Sequence, residues 1–122
     1  MVTKEEYPFL FSASRKNKKE IYERHKKALS KAYKAGMILK EDYGAKKVWI
    51  FGSLCDRERF NKYSDIDLAA KGISDERFFA AVAAVTRTIK DYKVDLIDID
   101  DCRKSLYNTV KKEGVEICIQ SI

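Results

Sequence analysis

Apolar residues recur every three or four positions from about Ser14 to Tyr43. These positions share one side of a helix, because an α-helix turns once in about 3.6 residues. Ser12 or Ser14 is suited to cap the start of the helix, and Gly44 is suited to end it. The pattern predicts one long amino-terminal helix with an apolar stripe formed by Ile21, His25, Ala28, Ala32, Ala35, Leu39 and Tyr43.

Short β-rich runs alternate with helical patterns along the rest of the chain. Strands are predicted over residues 47–51, 65–70, 94–99 and 115–120. Helices are predicted over residues 75–89 and 103–113. The short link between the first two strands favours antiparallel pairing, because a parallel pair usually needs a helical crossover. We therefore expect an α/β (α+β) fold, a mixed sheet of about four strands with helices on one face.

Length and composition are typical of a single domain with its own core. The chain has 122 residues, of which 45% are hydrophobic and 36% charged, and this excludes a disordered chain. No apolar run approaches the roughly 20 residues of a membrane helix, and the amino terminus lacks signal-peptide features. The three cysteines have no CxxC spacing, which argues against disulfides and zinc. We expect a cytoplasmic protein with an arm over residues 1–14 and one domain over residues 15–122.

Positive charge is concentrated in the first 50 residues. They carry 13 Lys and Arg against 6 Asp and Glu, whereas the remaining residues carry 12 against 13. Such a basic half is compatible with binding to nucleic acid or to an acidic protein, and equally with a solvated helix face. Aromatic residues suited to base stacking are not evident among these basic positions, so nucleic-acid binding ranks last among the functions considered.

The residues that indicate chemistry lie around the first two strands. Gly52-Ser53 follows the first strand, and Asp65-Ile66-Asp67 comes eleven residues later. Asp65 and Asp67 share one side of their strand, about 7 Å apart, because strand side chains alternate. Paired carboxylates suit Mg²⁺ or Mn²⁺, and a glycine followed by helix-start amides suits phosphate oxygens. The sequence therefore predicts a phosphate site beside a metal site.

A third carboxylate is expected from the third strand. Asp95 begins a mostly apolar run, where a carboxylate without a partner is costly. Asp98, Asp100 and Asp101 lie at the far end of that strand, where a solvated loop or a helix cap accounts for them. Asp95 is therefore favoured over Asp98 as the third ligand.

Together these motifs resemble the DNA polymerase β-type nucleotidyltransferases, and above all their small single-domain branch, the minimal nucleotidyltransferases (MNT). The resemblance covers roughly residues 25–120, including Glu113-Gly114-Val115 before the last strand. It implies a polymerase β palm-like fold in which acids bind two divalent metal ions and the Gly-Ser turn holds the nucleotide. The metal ligands and catalytic residues would be Asp65, Asp67 and Asp95, and the nucleotide-binding residues Gly52, Ser53, Arg57 and Ser64.

The resemblance also implies a reaction and a partner. With two Mg²⁺ ions, or Mn²⁺, an acceptor hydroxyl attacks the α-phosphorus of a nucleoside triphosphate, expected to be ATP, and pyrophosphate leaves. MNT proteins are commonly antitoxins of HEPN-domain ribonuclease toxins, and active members transfer AMP to a tyrosine of the toxin. Two alternatives stay open: neutralisation of a toxin by binding alone, and a homodimeric adenylyltransferase acting on a small molecule.

One segment departs from the family pattern. Cys55-Asp56-Arg57 stands where the family usually has Ala-Arg-Gly. Asp56 in place of the usual arginine is expected to weaken phosphate binding unless Arg57 or Arg59 takes over. The departure bears on efficiency and nucleotide choice rather than on the fold, because all three acids are retained.

Overall fold

The structure, a computed structural model, describes residues 8–61 and 63–118, with side chains from residue 18 onwards. Its elements are α1 (Pro8–Tyr43), β1 (Lys47–Phe51), a 3₁₀ helix (Gly52–Cys55, hereafter the Gly-Ser turn), β2 (Ile66–Lys71), α2 (Asp75–Thr88), β3 (Val94–Asp98), α3 (Lys104–Glu113) and β4 (Val115–Glu116). All predicted helices and strands are present. α1 begins at Pro8 rather than near Ser14, and β4 ends at Glu116 rather than at residue 120. Residues 1–7 of the expected arm and residues 119–122 lie outside the described residues.

The four strands form one mixed sheet in the order β3-β2-β1-β4. β1 pairs antiparallel with both β2 and β4, whereas β2 and β3 are parallel. The antiparallel pairing of the first two strands and the mixed sheet are therefore confirmed. This order places β2, which carries the Asp-x-Asp pair, in the interior of the sheet between β1 and β3.

The larger core lies between one face of the sheet and the helices α1 and α2. The predicted stripe of α1 is confirmed at Ala28, Ala32, Ala35 and Leu39, which are fully buried. Small alanines let the helix lie close to the sheet, where it meets Ile66, Leu68 and Ala70 of β2. Gly36 belongs to the same contact, because a Cβ at this position would lie 2.6 Å from Cδ1 of Ile117. The glycine thus makes room for the residue that follows β4.

α3 packs on the opposite face of the sheet, so the expectation of helices on one face is wrong for this helix. Trp49 and Phe51 of β1 point to that face and are buried there with Val110 of α3. Strand alternation explains the result, because β1 is apolar on both sides and each side needs cover. α3 supplies the second cover with Leu106 and Val110.

Two aromatic side chains on the helices show how position on a helix decides contact. Phe79 is 84% exposed, because it lies one step of about 100° around α2 from Phe78, which packs against the core. His25 has a structural role, as expected: its Nε2 donates to the carbonyl of Leu54 (2.7 Å), and its ring lies edge-on to Phe60. Among the described residues, none of the helices combines the length and hydropathy required to cross a membrane.

Candidate active site

The Gly-Ser turn lies directly against the Asp67 carboxylate. Gly52 has a φ of +75°, a region that residues with a side chain rarely adopt. A Cβ at this position would also collide with a carboxylate oxygen of Asp67 and lie 3.3 Å from its Cγ. Glycine is thus required twice, for the backbone conformation and for the approach of Asp67. Leu54, fully buried in the main core, anchors the turn at this place.

Sheet register brings the three predicted acids to one side of the sheet. Asp67 is paired with Phe51 in β1 and with Asp95 in β3. Paired residues of neighbouring strands lie about 4.8 Å apart and point to the same face. Asp65 immediately precedes β2 and shares the orientation of Asp67, two residues later. The structure therefore places all three carboxylates near one another, beside the Gly-Ser turn.

The electrostatics of Asp67 reflect this crowding. Partial burial, followed by the negative charges of Asp95 and Asp65, raises the pKa of Asp67 to about 6. Burial disfavours the charged carboxylate because water is removed, and like charges disfavour it further. A group with this property is a candidate for binding a cation, because a cation reverses both effects.

Asp95 occupies the expected place for a different reason from the one predicted. Its position on an apolar strand suggested a buried carboxylate, but β3 is an edge strand and Asp95 is exposed. Asp98 lies further along the strand, paired with Ala70, and its carboxylate accepts from the backbone N–H of Asp100 (2.9 Å). Asp98 therefore stabilises the loop after β3, and the structure does not support it as a fourth acid of the candidate site.

The predicted nucleotide-binding residues divide into two groups. Gly52 and Ser53 lie in the Gly-Ser turn beside the acids. Ser64 closes the loop before Asp65, where its hydroxyl oxygen accepts from the N–H of Asn61 (3.0 Å). Arg57 lies with its guanidinium 5.2 Å from the ring centre of Tyr22 in α1. The structure thus brings Gly52 and Ser53 to the acids and pairs Arg57 with α1.

The donor set fits a divalent cation in its chemistry. All three side chains are carboxylates, the hard oxygen ligands that Mg²⁺ and Mn²⁺ prefer. Within residues 8–61 and 63–118, no three Asp, Glu, His or Cys side chains are already gathered around one point as a closed metal cage. The pKa of Asp67 is raised by burial first and by the charges of Asp95 and Asp65 second, and a bound cation would offset both effects.

A groove between α1 and the loop after the Gly-Ser turn was missed by the sequence analysis. One part, about 560 Å³, is lined from α1 by Tyr22, Lys26 and Leu29, among others, and from the loop by Cys55 to Glu58. A second part, about 580 Å³, shares Tyr22 and Arg57 and extends to Lys18 and Lys19. We call the two parts together the α1 groove. The overlooked signal is Tyr22 itself, an aromatic residue among lysines that falls outside the buried stripe.

Comparison with known families assigns the sheet and its acids to one class of enzyme. Residues 34–122 match the family model described as polymerase beta, nucleotidyltransferase. The chain belongs to this family. The match includes the Gly-Ser turn and Asp65, Asp67 and Asp95, but it leaves the first three quarters of α1 outside. No curated protein matches the sequence.

Solved structures of nucleotidyltransferase type share the fold. A toxin-antitoxin structure with AMP-PNP is 20% identical, with a TM-score of 0.59 over 70% of this chain and 72% of that one. A structure of a tri-AMPylated HEPN toxin of Shewanella oneidensis in complex with an MNT antitoxin is 20% identical, with a TM-score of 0.56 over 75% of this chain and 71% of that one. A structure described as a nucleotidyltransferase from Sulfolobus solfataricus is 24% identical, with a TM-score of 0.51 over 79% of this chain and 84% of that one. These likenesses establish the nucleotidyltransferase fold.

Proposed function

We propose that this protein is a metal-dependent nucleotidyltransferase of MNT type that transfers AMP from ATP to a hydroxyl of a partner protein in the cytoplasm. In this proposal the partner is a HEPN-type toxin and the chain is its antitoxin. The observation that carries the proposal is the contact between Gly52 and the Asp67 carboxylate, with Asp95 in register beside it. It joins a phosphate-binding turn and a cluster of acids in one place, which is the requirement of nucleotidyl transfer.

Asp65, Asp67 and Asp95 would hold the divalent cations, Mg²⁺ or Mn²⁺. When bound, the cations neutralise phosphate charge and lower the pKa of the acceptor hydroxyl. The protein's own contribution is position: Asp67 is fixed by strands on both sides, β1 and β3. Fixed carboxylates hold the reacting oxygens in line, and positioning accounts for most of the catalysis in phosphoryl transfer.

The Gly-Ser turn would hold the β- and γ-phosphates of ATP. Gly52 lets the phosphates approach the backbone, and Ser53 adds a hydroxyl at the start of the turn. The buried Leu54 keeps the turn in place while a ligand binds or leaves. Ser64 and Arg57 stay candidates for the nucleotide; each would have to leave its present partner, Asn61 or Tyr22, to reach it.

The partner and the transferred group are suggested by the proteins that share the fold. Two of them are toxin-antitoxin structures, one described with AMP-PNP and one with a tri-AMPylated HEPN toxin. The chain also spans more than two thirds of each of these relatives.

The proposal is tested by following label from α-³²P-ATP. The wild-type chain and Mg²⁺ are incubated with the labelled ATP and a purified HEPN-type protein, and the proteins are then separated by gel electrophoresis. The double variant Asp65→Asn/Asp67→Asn is expected to transfer no label. Asp98→Asn/Asp100→Asn is the matched control, because it removes two carboxylates of the same sheet that serve the loop after β3. Its labelling is expected to equal that of the wild type.

Label on the partner that depends on Asp65 and Asp67 supports the proposal, and mass spectrometry then identifies the modified side chain. Label that persists in the Asp65→Asn/Asp67→Asn variant contradicts the assignment of these acids. No label, with Mn²⁺ replacing Mg²⁺ and a tight complex still formed, contradicts the enzymatic proposal for this pair.

A second candidate, neutralisation of the toxin by binding alone, is favoured by one observation. Asp56 stands in the loop after the Gly-Ser turn where the family usually has arginine, and Arg57 is engaged with Tyr22. A turn with this charge is a poor phosphate site unless Arg57 moves. The two candidates differ in their need for ATP. An enzyme binds ATP together with a divalent cation, whereas a binding module binds the partner equally well in the absence of ATP and of the cation.

A further inference from the structure

The α1 groove combines a lining of polar and apolar side chains with a position next to the Gly-Ser turn. Tyr22 of α1 is 50% exposed, and Arg57, from the loop after the Gly-Ser turn, lies over its ring. Leu29 and Ile21 add apolar surface to the two parts of the groove. Tyrosine and arginine are the residue types that most often anchor protein interfaces, because they bury large surfaces and keep a polar end.

The charges of the groove favour an acidic partner segment over nucleic acid. Lys18, Lys19, Lys26 and Arg57 are set against the two carboxylates of Asp56 and Glu58. The surplus of positive charge attracts an acidic surface. The two carboxylates within the groove repel a continuous phosphate backbone, which would have to pass them. A protein segment with acids at some positions and apolar residues at others satisfies both conditions.

Cys55 connects the groove to the Gly-Ser turn. Its side chain lines the groove, and its Sγ donates to the carbonyl of Ile50 at the end of β1 (3.2 Å). Cys55 is the last residue of the Gly-Ser turn, and the first residue of that turn, Gly52, lies against the Asp67 carboxylate. A segment lying in the groove therefore reaches the Gly-Ser turn, which separates the groove from Asp67.

We propose that the α1 groove is the docking site for an acidic, amphipathic segment of the acceptor protein, and that docking there presents the acceptor hydroxyl to the three acids. This inference rests on the proposed function and adds its acceptor-binding surface. The α1 part of the groove lies outside the family match over residues 34–122.

The test compares two charge-reversed variants of equal charge. Lys19→Glu/Lys26→Glu changes the groove, and Lys34→Glu/Lys112→Glu changes exposed lysines elsewhere on α1 and on α3. Affinity for the purified HEPN-type partner is measured by calorimetry in low and high salt, and label transfer is measured in parallel. A third variant, Tyr22→Ala, removes the exposed ring without a change of charge. All five positions are exposed, so the variants are expected to fold.

The groove variant is expected to bind the partner at least about tenfold more weakly than the wild type, because each reversal places a like charge against an acidic segment. The control variant is expected to bind as the wild type does, and Tyr22→Ala to weaken binding at every salt concentration. Label transfer at a partner concentration below saturation is expected to fall in the groove variant and in Tyr22→Ala along with the affinity, and to equal that of the wild type in the control variant.

Equal affinity of the groove variant and the wild type overturns the docking proposal while label transfer still supports the enzyme. Groove-dependent binding without any label supports docking and contradicts the enzyme. Absence of a complex between the wild-type chain and this partner overturns the docking proposal. So does tight binding of a 20-nucleotide single-stranded RNA that is lost in the groove variant and competes with the partner.

Discussion

The two faces of β2 differ in cover and in chemistry, although they belong to the same six residues. Ile66, Leu68 and Ala70 point toward α1 and α2 and are almost completely buried. Asp67 points to the other face, where α3 covers Ala69 but leaves the carboxylate partly exposed. The covered face holds the strand in place, and the open face uses that fixed position to hold a charged group near water.

Because side chains alternate along β2, the residues that stabilise the fold and the residue that carries charge at the candidate site are different residues of one strand. A shift of register by one residue would exchange the two faces and place Asp67 in the core. The buried Leu68 opposes such a shift, because its loss from the core would cost apolar burial. Neighbouring residues on this strand should therefore respond to substitution in opposite ways.

The largest effect is expected on the open face, from Asp67→Asn. AMP transfer should fall at least about 10³-fold, roughly 4 kcal/mol in the activation barrier, because the amide cannot neutralise a cation between the acids. The measurement is kcat for label transfer, with circular dichroism to verify the fold. Activity within about tenfold of the wild type would show that Asp67 is not a metal ligand in the reaction.

On the covered face, Leu68→Ala should lower the free energy of unfolding by about 3 kcal/mol, because it opens a cavity in a fully buried place. Urea denaturation measures this loss. Residual folded protein should retain a site that transfers AMP, since Asp67 keeps its register. A loss below about 1 kcal/mol would mean that the core repacks around the smaller side chain.

In the Gly-Ser turn, Gly52→Ala is expected to lower the free energy of unfolding by about 2 kcal/mol, because the added Cβ strains the backbone and meets the Asp67 carboxylate. Gly44→Ala is the matched control: its φ of +76° equals that of Gly52 within a degree, but a Cβ there meets nothing within 4 Å. The control therefore measures the backbone cost alone, about 1 kcal/mol. Equal costs in both variants would contradict the close contact between Gly52 and Asp67.

The smallest effect concerns stability and pH. The pKa of Asp67 is raised from 3.8 to about 6 in the folded state, so the folded protein binds this proton more tightly than the unfolded chain. Stability therefore falls as pH rises from about 4 to about 6, and the loss is complete above that range. Asp67→Asn should be more stable than the wild type by about 1 kcal/mol at pH 8, since water screens the half-exposed carboxylate.

The same variant should show no gain at pH 4, where Asp67 is protonated in the folded wild type. Thermal unfolding in EDTA at both pH values measures the difference. A gain of equal size at pH 4 and pH 8 would place its origin outside the charge of Asp67.

Most of the fold could be predicted because its signals are local. The helical stripe of α1 and the alternation in β2 follow from spacing, and Asp65 and Asp67 share a side for the same reason. Asp95 could be named but its exposure could not, since nothing in its sequence neighbours tells that β3 is an edge strand. The position of α3 could not be predicted for a related reason. Trp49 and Phe51 are covered by a helix more than 50 residues away in the sequence, and nothing near them indicates which helix this is.

Contacts between segments that are far apart in the sequence could not be predicted. The pairing of Arg57 with Tyr22 joins residues 35 positions apart, and no pattern in either segment indicates it. Both residues line the α1 groove, so the groove could not be predicted from either segment alone. Gly36 is a second example: the space that it leaves for Ile117 depends on a contact between residues 81 positions apart.

The contact of Gly52 with Asp67 also limits how this chain can change over generations. A larger residue at position 52 is tolerated in space only after the carboxylate at 67 has gone, whereas loss of the carboxylate leaves the backbone demand for glycine intact. The order of substitutions is therefore directional, and the acid can disappear first. A descendant without the proposed catalysis is expected to keep the glycine and lose the aspartate, so the aspartate, rather than the Gly-Ser pair, is the position to compare among relatives.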